Sequence, residues 1–188
     1  MDAAFAWLGQ IAEWLGKFIP RLQVVRLGFK MIKFKYGRTP VLVEPGVTVY
    51  WPLVTQTFVY PITRQAVQLR EQTLMTVDEK TVVVGGMIVY TVTDLVKLVC
   101  DVYWPDQTIR DLALTAVHNV CCKLTLHELC DEERRGTLDT KLRNAAQKTL
   151  EPYGLEVVKL QLTDLAPCRV LRLVQTTAKG EEDTTNHG

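Results

Sequence analysis

The sequence predicts an α+β fold, in which strand-forming segments come first and helices follow. Residues 40–52 read PVLVEPGVTVYWP, and further segments rich in β-branched residues continue to about residue 92. From residue 105 onward apolar residues recur at helical spacing, and residues 155–163, LEVVKLQLT, return to a strand pattern. A run of strands followed by a run of helices is typical of α+β proteins.

The N-terminal segment predicts an amphipathic helix. Residues 3–19 read AAFAWLGQIAEWLGKFI, and Pro20 ends the pattern. Glu13 and Lys17 lie on the polar face, and each would cost roughly 2.5–3.5 kcal/mol near a bilayer centre. We therefore expect the helix to lie in a membrane interface, with a membrane span and docking on protein as alternatives. The predicted anchoring side chains are Phe5, Trp7, Leu8, Ile11, Trp14, Leu15, Phe18 and Ile19.

Positive charge is concentrated next to this helix. No acidic residue lies between Glu13 and Glu44, although the net charge of the chain is only +1. The interleaved aromatics Phe29 and Tyr36 would also suit a surface that stacks nucleic-acid bases. The adjacent amphipathic helix favours an anionic membrane surface instead, so no nucleic-acid partner is expected. The predicted anionic-lipid contacts are Lys17, Arg21, Arg26, Lys30, Lys33 and Lys35.

The first half of the body is predicted to be extended. Residues 22–38 suit a strand with one solvated side, and Pro45-Gly46 predicts a tight hairpin between two short apolar runs. Within the last predicted strand Gly85-Gly86 interrupts a valine-rich run, which indicates a bulge or bend. The remaining strands are expected at 57–61, 65–76 and 81–92.

Three helices are predicted after residue 93. Asp94 can cap a short helix that ends at Cys100, and Pro105 fits the first turn of a longer one. Thr125-Leu-His-Glu128 has the form of a capping box, and a third helix is expected over residues 131–151. Buried stripes are predicted at Ile109, Leu112, Ala113, Ala116, Val117 and Val120, and at Leu138, Leu142, Ala145, Ala146 and Leu150.

The cysteines and histidines are the residues that most suggest hidden chemistry. Five cysteines, two of them adjacent, make a poor disulfide framework and indicate a reducing compartment. The sequence His118-x-x-Cys121-Cys122 with His127-x-x-Cys130 contains residue types that zinc accepts, or that could form a Cys–His nucleophile pair. Their helical setting favours plain packing, because cysteine is often buried as a small hydrophobe.

Other chemistry has weaker support in the sequence. Cys100 or Cys168 could be acylated if it lay near a membrane. The sequence contains no phosphate-cradling glycine loop and no paired-carboxylate motif. We therefore expect neither a cofactor nor an enzymatic activity.

Short motifs follow one another along the body of the chain in a recognisable order. Over about residues 26–170 they together resemble the stomatin/prohibitin/flotillin family, also called SPFH or Band 7. The segments that carry this resemblance are EPGVTVYWP at 44–52, LREQTLMTVD at 69–78, VYTVTD at 89–94, KLTLHEL at 123–129, Glu132-Glu133-Arg134, and EPYGLEVVKLQLTDLAP at 151–167.

The resemblance implies an SPFH domain in two parts, together with N-terminal membrane attachment and assembly into homo-oligomers. The family is generally not enzymatic. We expect a membrane-anchoring helix at 1–20, a membrane-proximal β-rich half at 21–65, an α+β half at 66–170 and a polar tail at 171–188.

The sequence therefore predicts a non-enzymatic scaffold on the cytoplasmic face of a membrane. Its partners would be membrane lipid and further copies of itself, and the partner classes extend to an integral membrane protein or a protease. The alternative is a soluble regulatory binding module whose N-terminal helix docks on such a protein partner. A lipid anchor would respond to anionic lipid and to salt, whereas a partner-docking helix would not.

Overall fold

The computed structural model describes residues 19–168 and confirms an α+β architecture. The predicted N-terminal helix, apart from Ile19, and the predicted polar tail lie outside the described residues. The strands are β1 Arg21–Val25, β2 Phe29–Lys35, β3 Thr39–Val43, β4 Gly46–Tyr50, β5 Thr55–Pro61, β6 Gln65–Met75, β7 Thr81–Val92 and β8 Leu155–Pro167. The helices are α1 Leu95–Asp101, α2 Pro105–Cys121, α3 Leu126–Arg135 and α4 Thr137–Leu150, followed by a 3-10 turn at Glu151–Tyr153.

The strands form three antiparallel sheets. Strands β1 and β4 pair as a two-stranded ribbon, and β3, β2 and β5 form a three-stranded sheet with β2 in the centre. The third sheet has the order β6-β7-β8, and helix α4 packs against β8. The first two sheets belong to the β-rich half, and the third sheet belongs to the α+β half with all four helices.

The single strand predicted over residues 22–38 is two strands in the structure. Arg26 closes the turn between them, because its carbonyl accepts a 3.1 Å hydrogen bond from the amide of Phe29. Gly28 lies in this turn at φ +86°, a conformation that favours glycine. The prediction missed the break because apolar and basic residues continue on both sides of Gly28, and a single glycine can also lie within a strand.

The hairpin predicted around Pro45-Gly46 is wrong. Strand β3 pairs with β2, and β4 pairs with β1, so Glu44 and Pro45 carry the chain from one sheet to another and Gly46 begins β4. The real hairpin turn is at Tyr36 and Gly37, which both have positive φ (54° and 67°). Because β3 folds back on β2 there, β4 is left to pair with β1.

The bulge predicted at Gly85-Gly86 is confirmed, although the extra residues lie on the neighbouring strands. The register of β6 shifts between Leu69 and Gln72, and the register of β8 shifts opposite Gly85 and Gly86. A side chain at Gly86 would approach the carbonyl oxygen of Gln161 to 3.0 Å. Gly86 therefore gives the backbone of β8 room to come close, and Gly85 leaves room for side chains of the two neighbouring strands.

The helix caps were predicted correctly, but the bounds of the third helix were not. Asp94 caps α1 by accepting hydrogen bonds from two backbone amides, and the capping box of Thr125 and Glu128 begins α3. The helix predicted over residues 131–151 is two helices, because Gly136 at φ +69° ends α3 and precedes α4. Glycine at such a position is a common helix stop.

The main core lies in the α+β half. It contains the predicted stripes of α2 and α4 together with the inner face of the third sheet, and fully buried members include Ile88, Leu98, Leu142 and Leu160. Ile32 of β2 is the fully buried member that the β-rich half contributes, and Phe34, Tyr60 and Ile62 pack against the core while partly buried. The second half therefore holds most of the apolar side chains that are buried among residues 19–168.

Gly154 fixes the start of β8 against the start of α1. Its carbonyl accepts hydrogen bonds from the amides of Thr93 and Asp94, at 2.9 and 3.0 Å. A Cβ at this glycine would lie 2.5 Å from the carbonyl oxygen of Asp94, and φ there is +75°. By contrast Gly136, at φ +69°, has open space around its Cβ position.

We expect Gly154→Ala to lower the free energy of unfolding by more than about 2 kcal/mol, because it adds a backbone clash to the cost of a left-handed alanine. The matched variant Gly136→Ala has only the left-handed cost, roughly 1–2 kcal/mol. Urea unfolding of both variants measures the difference. Equal losses of unfolding free energy in the two variants would show that the close approach to Asp94 adds no cost of its own.

Asp78 joins the β6–β7 turn to the N-terminus of α3. Its Oδ1 accepts hydrogen bonds from the Thr76 hydroxyl at 2.5 Å and from the Leu126 amide at 3.1 Å, and Lys80 lies 3.0 Å from Oδ2. The Thr76 hydrogen bond is the largest cause that lowers the pKa of Asp78 to about 2, followed by the contacts with Lys80 and Leu126.

A carboxylate with a lowered pKa stabilises the fold above the pKa of the unfolded chain, and this contribution is lost as pH falls through the folded value. We therefore expect Asp78→Asn to lower the melting temperature at pH 7, and the difference from wild type to shrink between about pH 4 and pH 2. The exposed Asp101 at the end of α1 provides the control variant Asp101→Asn. A pH-independent difference for Asp78→Asn would contradict the assignment.

Candidate functional site

The ribbon of β1 and β4 presents an apolar face to the outside. Leu22 pairs with Val49, and Val24 pairs with Val47, so the four side chains lie together on one face. Their exposed fractions are 72%, 56%, 67% and 72% in that order. Leu27, in the turn after β1, is 93% exposed. A contiguous exposed apolar surface of this kind marks an interaction site more often than scattered exposed residues do.

The opposite face of the ribbon carries the polar residues and is directed inward. Gln23 pairs with Thr48 there, and both are half-buried, while Val25 is fully buried. An ordinary amphipathic ribbon turns its apolar face to the core and its polar face to water. This ribbon is inverted, since four of its five aliphatic residues face outward and only Val25 faces inward.

Lys33 of β2 reaches from the three-stranded sheet to the ribbon. It is 9% exposed, and its ammonium donates hydrogen bonds to the Thr48 hydroxyl and, at 2.9 Å, to the Val49 carbonyl. Burial is the main cause that lowers the pKa of Lys33, and the nearby charge of Lys35 lowers it further. These contacts join the polar face of β4 to β2.

The structure separates the predicted anionic-lipid contacts into different environments. Arg21, Arg26 and Lys35 are exposed, and Lys30 is half-buried. Lys33 was predicted with them, but it is buried beneath β4 and bonded there, so it does not form part of the outer basic surface. Lys17 lies outside the described residues.

The predicted anchoring side chains of the N-terminal helix are described only at Ile19. That residue is 62% exposed and immediately precedes Pro20 and β1. The other seven side chains lie outside the described residues, so their anchoring role stays a prediction. They are Phe5, Trp7, Leu8, Ile11, Trp14, Leu15 and Phe18.

Sequence reasoning missed the apolar face of the ribbon. The signal was present, because Leu22-Gln23-Val24 and Val47-Thr48-Val49 alternate between apolar and polar residues. Alternation places the aliphatic residues on one face but does not say whether that face meets a core or the outside. The burial of Lys33 against the polar face shows that the aliphatic face is the outer one.

A second candidate surface is a cleft of about 500 Å³ between the two halves, lined by Phe34, Phe58, Val99, Tyr103 and Trp104 among others. The last two belong to the α1–α2 loop and are 87% and 66% exposed. The cleft has the size and apolar lining of a site that binds an apolar group.

One hydrogen bond crosses beside this cleft. The hydroxyl of Tyr60 on β5 donates to Oδ1 of Asp106 at the start of α2, at 2.6 Å. Burial first, and this hydrogen bond second, raise the pKa of Tyr60 above its usual value. The tyrosine therefore stays neutral and ties the β-rich half to α2.

Of the cysteine and histidine cluster, Cys121 lies in the core, whereas His118 and His127 are exposed. Cys121 is fully buried, and burial together with the neighbouring Cys122 raises the pKa of its thiol to about 12, which disfavours the reactive thiolate. Cys122 Sγ lies 3.6 Å from His118 Nε2. Within residues 19–168 no three His, Cys, Asp or Glu side chains are grouped so that they could hold a metal ion.

None of the helices between residues 19 and 168 is long and apolar enough to cross a membrane.

Comparison with known proteins identifies the same family that the motifs resemble. Residues 23–181 match the model of the SPFH domain / Band 7 family. An uncharacterised protein of Archaeoglobus fulgidus is 22% identical over 178 residues, which cover 94% of this chain and 71% of that protein.

Two eukaryotic relatives are longer. An uncharacterised protein of Schizosaccharomyces pombe is 24% identical, over 86% of this chain and 44% of its own length. Stomatin-like protein 2, mitochondrial, of Rattus norvegicus is also 24% identical, over 78% of this chain and 42% of its own length. The chain thus spans less than half the length of both proteins.

Proposed function

The chain belongs to the SPFH domain / Band 7 family, and on this premise we propose that it is a non-enzymatic scaffold at a membrane surface. It associates with lipid through its N-terminal segment and the outer face of the β1–β4 ribbon. It also assembles with further copies of itself and so organises membrane or regulates membrane-protein partners. The family as a whole is generally not enzymatic.

The observation that carries this proposal is the inverted ribbon. Leu22, Val24, Val47 and Val49 remain in water in the isolated chain, although the sequence offers polar residues on the other face of the same strands. Each side chain of this size contributes roughly 1.5–3 kcal/mol when it is fully buried. A bilayer boundary would recover part of this free energy without any change in the fold.

The charges near the ribbon suit an anionic surface. Arg21 and Arg26 are exposed at either end of β1, and Ile19 places the predicted helix directly before them. A basic residue close to an anionic leaflet contributes about 1 kcal/mol. Cytoplasmic leaflets carry such lipids, which supports the cytoplasmic face as the site of attachment.

We expect the double variant Val24→Ser/Val47→Ser to weaken partition of the full chain into anionic vesicles by about tenfold, since each valine would lose roughly 0.7–1 kcal/mol of partial burial. Co-flotation with vesicles measures the bound fraction. Both positions face outward in the folded chain, so the melting temperature should change little.

Val77→Ser is the matched control, because Val77 is 60% exposed but belongs to the β6–β7 turn of the other half. It should float like wild type. Equal binding of the double variant and wild type would exclude the ribbon as a lipid contact. Equally poor binding of wild type to neutral and anionic vesicles would favour the alternative module that docks on a protein partner.

The proposed assembly predicts a particle much larger than the 21.3 kDa chain. Light scattering of detergent-purified protein should give a uniform mass that is a multiple of this value, and negative-stain images of the same sample should show a ring, an arc or a cage. A monomer both in detergent and on vesicles would remove self-association from the proposal while leaving the family assignment intact.

A further inference from the structure

We propose that the groove between the three-stranded sheet and β4 binds the anionic phosphate headgroup of a single lipid molecule, with Lys33 and Lys35 as its cationic contacts. This inference rests on the proposed membrane association and adds a specific site to it. The groove has a volume of about 490 Å³. That is within the range of about 300–1,000 Å³ found for small-molecule sites.

The first argument is the isolation of a buried positive charge. Lys33 is 91% buried, by difference from its exposed fraction of 9%. Its hydrogen-bond acceptors are the neutral Thr48 hydroxyl and Val49 carbonyl. Removing an ammonium from water is costly unless an anion compensates for it. In residues 19–168 no carboxylate forms an ion pair with Lys33.

The second argument is that a like charge lies beside it. Lys35 is two residues further along β2, so both side chains lie on the same face of the strand, and both line the groove. The repulsion of Lys35 contributes to the lowered pKa of Lys33. An anion between them would relieve both the desolvation and the repulsion, and charge-assisted hydrogen bonds to phosphate are among the strong ones.

The third argument is the chemistry of the walls. No Asp or Glu lines the groove. Apart from Thr55 the residues around the two lysines are aliphatic or aromatic, and two of the aromatic ones are tyrosines, which carry a hydroxyl. Val41 pairs with Lys33 across the sheet, and Val43 pairs with Met31, so an apolar wall continues from the cationic end. Trp51 lines the groove and is 50% exposed. A cationic end beside an apolar wall suits an amphiphile better than it suits a free ion.

The test uses the full chain and two short-chain probes below their critical micelle concentrations. Dihexanoyl phosphatidylglycerol presents an anionic headgroup, and dihexanoyl phosphatidylcholine presents the same chains with a zwitterionic one. In a calorimetric titration we expect saturable binding of the phosphatidylglycerol probe at one site per chain, and at least tenfold weaker binding of the phosphatidylcholine probe. Inorganic phosphate should bind more weakly than the phosphatidylglycerol probe and compete with it.

Two variants locate the site, and one variant controls for the loss of a positive charge. Lys35→Gln removes an exposed cation and should weaken the phosphatidylglycerol probe about tenfold, because a charge-assisted contact is lost. Lys33→Met removes the buried cation and should have at least the same effect. Lys159→Gln changes an exposed lysine on β8, outside the groove, and should leave the affinity unchanged.

Equal weakening by Lys159→Gln and Lys35→Gln would overturn the site, as would the absence of saturable binding. Inorganic phosphate that binds as tightly as the lipid probe would overturn its assignment to lipid. A failed titration with intact vesicle flotation would refute the groove alone. Probe binding without flotation would refute the proposed membrane association and leave a headgroup site. Lys33→Met also removes two hydrogen bonds to β4. If this variant unfolds, the effect of Lys35→Gln decides whether the groove is the site.

Discussion

The bonds of Lys33 to β4 determine how the β-rich half is assembled. The ammonium lies between two sheets and needs polar partners, and the ribbon supplies the Thr48 hydroxyl from its inner face and the Val49 carbonyl from the backbone of β4. Once that face is turned inward, the strict alternation of a strand sends Val47 and Val49 outward. The exposed apolar surface is therefore a consequence of a buried polar contact rather than an independent feature.

This arrangement is tolerable because the stability of the chain comes from elsewhere. The main core joins the third sheet to helices α2–α4, and the β-rich half adds Ile32 to it. The hydrogen bond from Tyr60 to Asp106 then holds β5 against α2. Because the α+β half holds the β-rich half in place, the β-rich half can keep apolar residues on its outer surface. This division of roles between the two halves explains why one polypeptide contains both a densely packed core and a ribbon whose apolar face is exposed.

How much could be predicted from the sequence depended on whether a signal was local. Three predictions depend on residues that are close together in the sequence, and the structure confirms all three. They are the capping box at Thr125, the cap at Asp94 and the strand over residues 81–92. The pairing of β1 with β4 joins residues far apart in the chain, and Pro45-Gly46 suggested a nearer partner. The burial of Lys33 could not be predicted either. In the sequence a lysine among other lysines has the pattern of a solvated charge, and only the position of β4 shows that it is buried.

The two kinds of lipid contact in the proposals would respond to different properties of a membrane. The aliphatic face of the ribbon gains free energy from any bilayer boundary and is insensitive to salt, while Arg21 and Arg26 respond to the average surface charge, which salt screens. A headgroup held by Lys33 and Lys35 would be screened less, since its contacts are partly buried. It would also lie next to the bonds that orient β4, so occupancy would strengthen the contact that keeps the ribbon inverted. Specific lipid and general membrane attachment would then stabilise the same arrangement of strands, and each would bind more tightly in the presence of the other.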